Sequence, residues 1–227
     1  MRQLPLGVRL RDDATFASFA PGANAELLAA LRARNTIPLW LWGARGSGKS
    51  HLLQAVCVAA GGSAAYLPLG PAGLPPEAVS GFERCRVLCL DDVDAVAGDL
   101  KWERALFSLF NDAADLGTRL IFSGAAAPRA IEWGLRDWRS RAGACVIYQL
   151  QELDEAGRVD ALRLHAAQRG LQLPPETSEY LLRRTPRDLR SLLGILEHLD
   201  EASLVAQRRL TIPFIRAALA KLGETEP

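Results

Sequence analysis

The strongest constraint on the fold of this chain is a glycine-rich motif at residues 43–50, which reads Gly-Ala-Arg-Gly-Ser-Gly-Lys-Ser. It fits the P-loop pattern G-x-x-x-x-G-K-[ST] at every position. The apolar stretch Ile37–Trp42 before it predicts a buried strand, and Lys49–Ala60 after it predicts a helix. Strand, loop and helix in this order predict a phosphate-binding site, because the loop N–H groups and the helix N-terminus point at one anion.

Two side chains of the motif have chemical roles of their own. Lys49 is expected to reach the β- and γ-phosphates, and the Ser50 hydroxyl is expected to ligate Mg²⁺. The remaining residues of the motif are predicted to surround the phosphates mainly through the backbone: Gly43, Ala44, Arg45, Gly46, Ser47 and Gly48.

Apolar, β-leaning stretches alternate with helical patterns, which predicts an α/β fold with a five-stranded parallel sheet flanked by helices. The predicted strands are Ile37–Trp42, Ala64–Leu69, Val87–Leu90, Leu120–Phe122 and Cys145–Leu150. The predicted helices in the same part of the chain are Ala23–Arg34, Lys49–Ala60, Trp102–Leu116 and Arg129–Trp133. After about Glu152 only helices are predicted, at Asp154–Arg169, Pro175–Arg183, Arg187–Ala206 and Pro213–Leu222. We therefore expect a nucleotide-binding domain at residues 13–152 and a small all-helical lid domain at residues 153–227.

Composition argues against several other classes of protein. The chain has 227 residues and a formal net charge of +1, so we expect no strong direct DNA binding. No apolar run approaches the ~20 residues that a membrane span needs, and the N-terminus does not resemble a secretory signal. We therefore expect a cytoplasmic protein without membrane contact. The four cysteines form no C-x-x-C pair and the three histidines are scattered, so we expect free thiols and no metal held by protein groups alone.

A second motif follows the P-loop along the chain. Val87–Leu90 is apolar and runs into Asp91 and Asp92, which is the form of a Walker B strand. Asp91 is predicted to hold Mg²⁺ opposite Ser50, and Asp92 to polarise the attacking water as a general base. Ser123 ends another predicted strand, and its position at the same edge of the sheet would let it reach the γ-phosphate or the water.

Two arginine clusters complete the set of candidate residues. Residues 136–141 lie just before the fifth predicted strand, a position that suits an arginine finger acting on a neighbouring subunit. Trp138 is close to Arg141 in sequence, so we expect aromatic packing to position that arginine. Residues 187–190 lie early in a lid helix, where an arginine would contact the phosphates of the chain's own nucleotide.

The order of these motifs resembles an AAA+ nucleotide-binding module, and more closely the bacterial replication initiator DnaA. Residues 15–24, Thr-Phe-Ala-Ser-Phe-Ala-Pro-Gly-Ala-Asn, look like the DnaA segment that precedes the module and packs near the adenine. The start of the P-loop helix matches too, which adds His51 to the predicted nucleotide-binding residues. The resemblance further implies that Ser123 is the sensor 1 residue, Arg141 the arginine finger and Arg190 the sensor 2 residue.

Other stretches narrow the resemblance to the DnaA-related Hda family. DnaA carries a helix-turn-helix domain after its lid, whereas this sequence ends at Pro227, and residues 170–174 and 206–214 look like those of Hda. Gln3-Leu4-Pro5-Leu6 resembles the short peptide by which proteins dock on the DNA polymerase sliding clamp. Gln3, Leu4 and Leu6 are therefore the predicted clamp-binding residues, in a docking segment at residues 1–12.

The resemblance implies a regulator of chromosomal replication initiation. Such a chain would bind ADP, or ATP, with Mg²⁺, dock on the β subunit of the clamp and promote hydrolysis of DnaA-bound ATP, which inactivates DnaA. We expect it to stimulate hydrolysis on DnaA rather than to turn over ATP itself, and both a monomer and a homodimer remain open. The alternative is an autonomous AAA+ ATPase of the helicase-loader or DnaA-like remodelling type, since Lys49, Asp91 and Asp92 are all present. A small-molecule kinase fits the motifs poorly.

Overall fold

The computed structural model of the chain describes residues 14–70, 74–184, 189–206 and 210–223. The chain divides into two compact units, Met1–Glu152 and Leu153–Pro227. Within the described ranges, no helix combines the length and the apolarity required to cross a membrane.

The first unit is a five-stranded, fully parallel sheet with helices packed on both of its faces. The strands are β1 (Leu39–Trp42), β2 (Ala64–Pro68), β3 (Val87–Asp91), β4 (Arg119–Gly124) and β5 (Val146–Gln149). The helices are α1 (Ala25–Arg32), α2 (Lys49–Ala60), α3 (Leu100–Leu116) and α4 (Arg136–Gly143). The strand order is β2-β3-β4-β1-β5, with β1 between β4 and β5. The prediction of a parallel five-stranded sheet is confirmed.

Alternating residues of the strands build a separate apolar core on each face of the sheet. Leu39 and Leu41 of β1 pack with α1 and α2 on one face. Trp40, between them, packs with α3 and α4 on the other face. Successive side chains of a strand point to opposite faces, so a strand buried on both faces must be apolar throughout. This explains why β1, β3 and β4 are visible in the sequence as apolar runs.

The fourth predicted helix of this unit is misplaced. Arg129–Trp133 is not an α-helix: a short 3₁₀ turn spans Pro128–Ala130, and the helix, α4, begins only at Arg136. Ile131, Trp133 and Leu135 are the partly buried residues of the intervening segment, and all three pack against the core under α3. Burial of every second residue is typical of an extended chain. The stretch therefore packs against the core as an extended segment and not as a helix.

The second unit is a four-helix structure with its own core. Its helices are α5 (Glu155–Gln168), α6 (Pro175–Arg184), α7 (Leu189–Ala206) and α8 (Ile212–Gly223). The Asp154 carboxylate caps α5 by accepting a hydrogen bond from the Gly157 N–H at 2.7 Å. Gly170, at φ +72°, follows the end of α5, where the Leu171 N–H donates to the Ala166 carbonyl at 2.9 Å. Asp154 is therefore the N-cap residue of α5, and Gly170 is the left-handed residue that follows its C-cap.

Candidate nucleotide-binding site

The P-loop connects β1 to α2, and its backbone is held in a shape that glycine permits. Gly46 and Gly48 have φ values of +81° and +105°, which other residues rarely adopt. A Cβ on Gly43 would lie 2.9 Å from the carbonyl oxygen of Leu150, so a larger residue would clash with the backbone there. Ala44, Arg45 and Gly46 are exposed, so the crest of the loop is open to a ligand.

Lys49 lies folded over the loop that precedes it. Its side chain is 8% exposed, and its ammonium group donates hydrogen bonds to the carbonyl oxygens of Gly43 at 2.9 Å and Ala44 at 3.0 Å. The Ser47 hydroxyl donates to the same Ala44 carbonyl at 2.8 Å. The N-terminus of α2 starts at Lys49, so a positive side chain and the free N–H groups of a helix meet at one place.

Asp91 and Ser123 are neighbours at the carboxyl edge of the sheet, as predicted from the ends of their strands. Leu90 of β3 pairs with Phe122 of β4, so the two polar residues follow side by side. The Ser123 hydroxyl donates a hydrogen bond to Oδ1 of Asp91 and accepts one from the Asp92 N–H at 3.0 Å. Because the Asp92 N–H can only donate, the single hydroxyl proton of Ser123 is directed to Asp91. Ser123 is fully buried.

Tyr66 of β2 is a residue of this site that sequence reasoning missed. Its hydroxyl donates to Oδ2 of Asp91 at 2.5 Å, and its phenol also interacts with the side chains of Gln54 and Ser50 on α2. Burial and the adjacent Asp91 carboxylate raise the pKa of the Tyr66 phenol, so it remains protonated and continues to donate at neutral pH. The alternation of β2 places Tyr66 on the α2 face, but only the strand order reveals that β2 adjoins β3.

Asp92 turns the chain away from the sheet. It has a φ of +55°, the only positive φ outside glycine in the part of the chain that the structure describes. Its side chain is half-buried, and burial together with the Asp91 carboxylate raises its pKa, whereas Lys49 and Arg45 oppose the shift. A carboxylate with a raised pKa is better suited to accept a proton near neutral pH, which is the property required of a general base.

The segment before α1 packs against the start of α2. Nε2 of His51 lies 2.9 Å from the carbonyl oxygen of Thr15 and 3.1 Å from the Ser18 hydroxyl. Because a carbonyl oxygen only accepts, Nε2 carries the proton. Phe19 stacks at a tilt on the His51 ring, and its Cε2 would lie 2.9 Å from a Cβ on Gly48. His51 therefore fastens this segment to the P-loop helix.

Arg141 lies on the other side of the sheet from the P-loop helix. It is exposed near the end of α4, which packs with α3 on the face opposite α2. Its guanidinium lies 5.9 Å from the ring centroid of Phe107 and 5.8 Å from that of Phe110. The expected aromatic neighbour, Trp138, is instead fully buried on the inner face of α4. Aromatic packing does hold the arginine, but α3 supplies the rings.

Comparisons with known proteins agree with this architecture. Residues 148–219 match the family model described as "Hda, lid domain". Domain III of the replication initiation protein DnaA of Thermotoga maritima has a TM-score of 0.78 and 21% identity, over 94% of this chain and 98% of that chain. The chain therefore has the fold of DnaA domain III, and its residues 148–219 match the Hda lid family.

Two further solved structures are similar to this chain. AMPPCP-bound DnaA from Aquifex aeolicus has a TM-score of 0.65 and 23% identity, over 83% of this chain and 65% of that chain. The RuvB Holliday junction branch migration motor of Thermotoga maritima has a TM-score of 0.62 and 16% identity, over 82% of this chain and 62% of that chain. At these identities the likeness establishes the fold alone.

Some predicted site residues lie outside the part of the chain that the structure describes. The clamp-docking residues Gln3, Leu4 and Leu6 fall before residue 14. The side chain of Arg190 is also outside it, although the helix that carries this residue begins at Leu189. The roles given to these four residues stay predictions.

Proposed function

We propose that this chain is an adenine-nucleotide-binding regulator of chromosomal replication initiation that promotes hydrolysis of DnaA-bound ATP. The match of residues 148–219 to the Hda lid family carries the proposal, because the resemblance to Hda implies a protein that inactivates DnaA. The DnaA-like fold of the whole chain supports it. The function implies a cytoplasmic protein whose partners are DnaA and the sliding clamp.

The P-loop would hold the nucleotide, with ADP as the resting ligand. Similar DnaA structures contain the ATP analogue AMPPCP, which supports an adenine nucleotide at the equivalent place. Lys49 and the N–H groups at the start of α2 would bind the phosphates. Mg²⁺ prefers oxygen ligands, and the Ser50 hydroxyl and the Asp91 carboxylate are the oxygen donors that would hold it. When bound, the ion would neutralise part of the phosphate charge.

Arg141 would act on the ATP of the partner rather than on the chain's own nucleotide. It is exposed on α4, and α4 and the P-loop helix α2 cover opposite faces of the sheet. Phe107 and Phe110 limit the conformations of its side chain, so less conformational entropy is lost when the guanidinium binds phosphate. A finger supplied in trans by one protein to another can accelerate hydrolysis by ~10³–10⁵-fold.

Substitution of Arg141 tests the proposed action on DnaA. The Arg141→Ala chain should keep its affinity for ADP and for the clamp but fail to stimulate hydrolysis of DnaA-bound ATP in the presence of clamp-loaded DNA. The fraction of DnaA-bound ATP converted to ADP is the measurement. Arg139→Ala removes another exposed arginine of α4 and serves as the matched control. Full stimulation by the Arg141 variant would refute the finger assignment.

The docking peptide is tested separately. Gln3, Leu4 and Leu6 would tether the chain to the clamp, which raises the effective concentration of Arg141 near DnaA. Replacing Gln3 and Leu4 by alanine should abolish capture on immobilised clamp while ADP binding persists. If the double variant is still captured as well as the natural chain, another surface makes the contact with the clamp.

A second function is favoured by the intact catalytic residues. Lys49, Asp91 and the half-buried Asp92, with its raised pKa, are what an autonomous ATPase of the helicase-loader type requires. Such a protein would release phosphate from ATP by itself, and Asp92→Asn would abolish that turnover. A regulator that acts only on DnaA would show no steady release of phosphate in the absence of DnaA.

A further inference from the structure

The carboxylate of Asp91 is held at both oxygens by hydroxyl groups of its own chain. Tyr66 donates to Oδ2 at 2.5 Å, and Ser123 donates to Oδ1. Asp91 is only 2% exposed, so little of the carboxylate is open to solvent. Neutral hydroxyls stabilise a buried carboxylate without adding positive charge.

Tyr66 also lies close to the other predicted ligand of Mg²⁺. Its phenol interacts with the side chains of Ser50 and Gln54 on the P-loop helix as well as with Asp91. The Tyr66 hydroxyl therefore interacts with both residues that would hold the metal. Mg²⁺ demands near-ideal octahedral geometry, so a fixed hydroxyl beside its ligands would interfere with it more than with Ca²⁺, whose coordination geometry is flexible.

We propose that Tyr66 is a specificity-determining residue that competes with Mg²⁺ for Asp91, so that the P-loop binds a nucleoside diphosphate nearly independently of Mg²⁺. This inference rests on the proposed function, because it assumes that the P-loop holds a nucleotide. Each oxygen of Asp91 already accepts one hydroxyl hydrogen bond, which draws electron density from it and leaves it fewer lone pairs for a metal ion or a metal-bound water. Direct ligation and ligation through water therefore both contribute less to nucleotide affinity.

A nucleotide site of this kind suits a chain that holds ADP rather than one that turns over ATP. In P-loop enzymes Mg²⁺ bridges the β- and γ-phosphates and neutralises charge as the reaction proceeds. A diphosphate has no γ-phosphate to bridge, so Lys49 and the N–H groups at the start of α2 supply most of the attraction. The weak metal dependence and the preference for a diphosphate are then two consequences of one tyrosine.

The test compares ADP affinity with excess Mg²⁺ and with excess EDTA, measured by titration calorimetry on the full chain. We expect the two dissociation constants of the natural chain to agree within about threefold, because the metal adds little. Tyr66→Phe removes only the hydroxyl, and it should bind ADP at least about tenfold more tightly with Mg²⁺ than with EDTA. Tyr148→Phe removes a phenol hydroxyl from β5 of the same sheet and should behave like the natural chain.

Each result has a definite meaning. A natural chain whose ADP affinity already rises about tenfold with Mg²⁺ overturns the inference, whether or not the Tyr66 variant folds. A folded Tyr66→Phe chain with the same ratio as the natural chain overturns it as well. Failure of the natural chain to bind ADP in either buffer instead refutes nucleotide binding at the P-loop, and with it the proposed function.

Discussion

The Glu103 carboxylate of α3 accepts a hydrogen bond at 2.5 Å from the backbone N–H of Leu135, the residue that immediately precedes α4. It also accepts from the N–H groups of Gly134 at 3.0 Å and Gly98 at 2.7 Å, and it is fully buried. Three donors compensate for the removal of this charge from water. One carboxylate thus fixes the segment from which the helix carrying Arg141 begins.

Replacing Glu103 should destabilise the first unit strongly. Glu103→Ala leaves three N–H groups without their acceptor and should lower the free energy of unfolding by about 2–4 kcal/mol. Glu103→Gln keeps one acceptor oxygen and should fall between this variant and the natural chain. Urea denaturation measures the effect, and Glu132→Ala, at an exposed position, is the control. A loss below about 0.5 kcal/mol in the alanine variant would contradict this account.

The close contact of Gly48 with Phe19 makes a second prediction about stability. A Cβ at Gly48 would lie 2.9 Å from Cε2 of Phe19, and the φ of +105° is unfavourable for alanine in any case. Gly48→Ala should therefore lower the free energy of unfolding by about 1–3 kcal/mol. Gly62→Ala should change it by less than about 1 kcal/mol, since a Cβ there has no neighbour within 4 Å. Equal losses of stability in Gly48→Ala and Gly62→Ala would show that neither the contact with Phe19 nor the backbone conformation of Gly48 determines the effect.

Local patterns account for most of the predicted elements. β1, β3 and β4 are largely apolar because both faces of the sheet are covered there, and α2 has the predicted bounds, Lys49–Ala60. The proximity of Asp91 to Ser123 also follows from the sequence, because the carboxyl ends of parallel strands meet at one edge of the sheet.

Contacts between distant parts of the chain could not be predicted in this way. The Tyr66–Asp91 hydrogen bond depends on β2 lying beside β3, and strand order is a property of the whole sheet. Glu103 binds backbone N–H groups, which any residue type provides, so no pattern marks its partners. Packing against the α3 core extends the segment before α4, where local propensity alone predicts a helix.

The raised pKa of Asp92 predicts a pH-dependent gain of stability for Asp92→Asn. Burial and Asp91 disfavour the charged carboxyl in the folded chain, so the natural chain loses stability as the pH rises through the usual aspartate range and above it. Asparagine has no charge and tolerates the left-handed backbone at φ +55°. The variant should therefore have a higher Tm than the natural chain at pH 7, with a difference that shrinks on acidification.

Thermal denaturation across a pH series measures this difference. Asp112→Asn removes the charge of an exposed aspartate in the same unit, and it should show a small difference in Tm that varies little with pH. An Asp92 variant with a lower Tm than the natural chain at pH 7 would mean that the charged carboxylate stabilises the turn after β3.

The reactivities of the cysteines should follow their burial. All four are free thiols, and only Cys85 is not buried. Burial raises the pKa of Cys145 to about 12 and also raises the pKa values of Cys85 and Cys89. Because the thiolate is the nucleophile, iodoacetamide at pH 8 should modify Cys85 first and Cys145 only after unfolding.

Peptide mass spectrometry gives the rate at each site, and the same reaction in urea, where the rates should converge, is the control. Modification of Cys145 in the native chain as fast as Cys85 would show that α4 opens readily to solvent, and would contradict the tight packing of that helix.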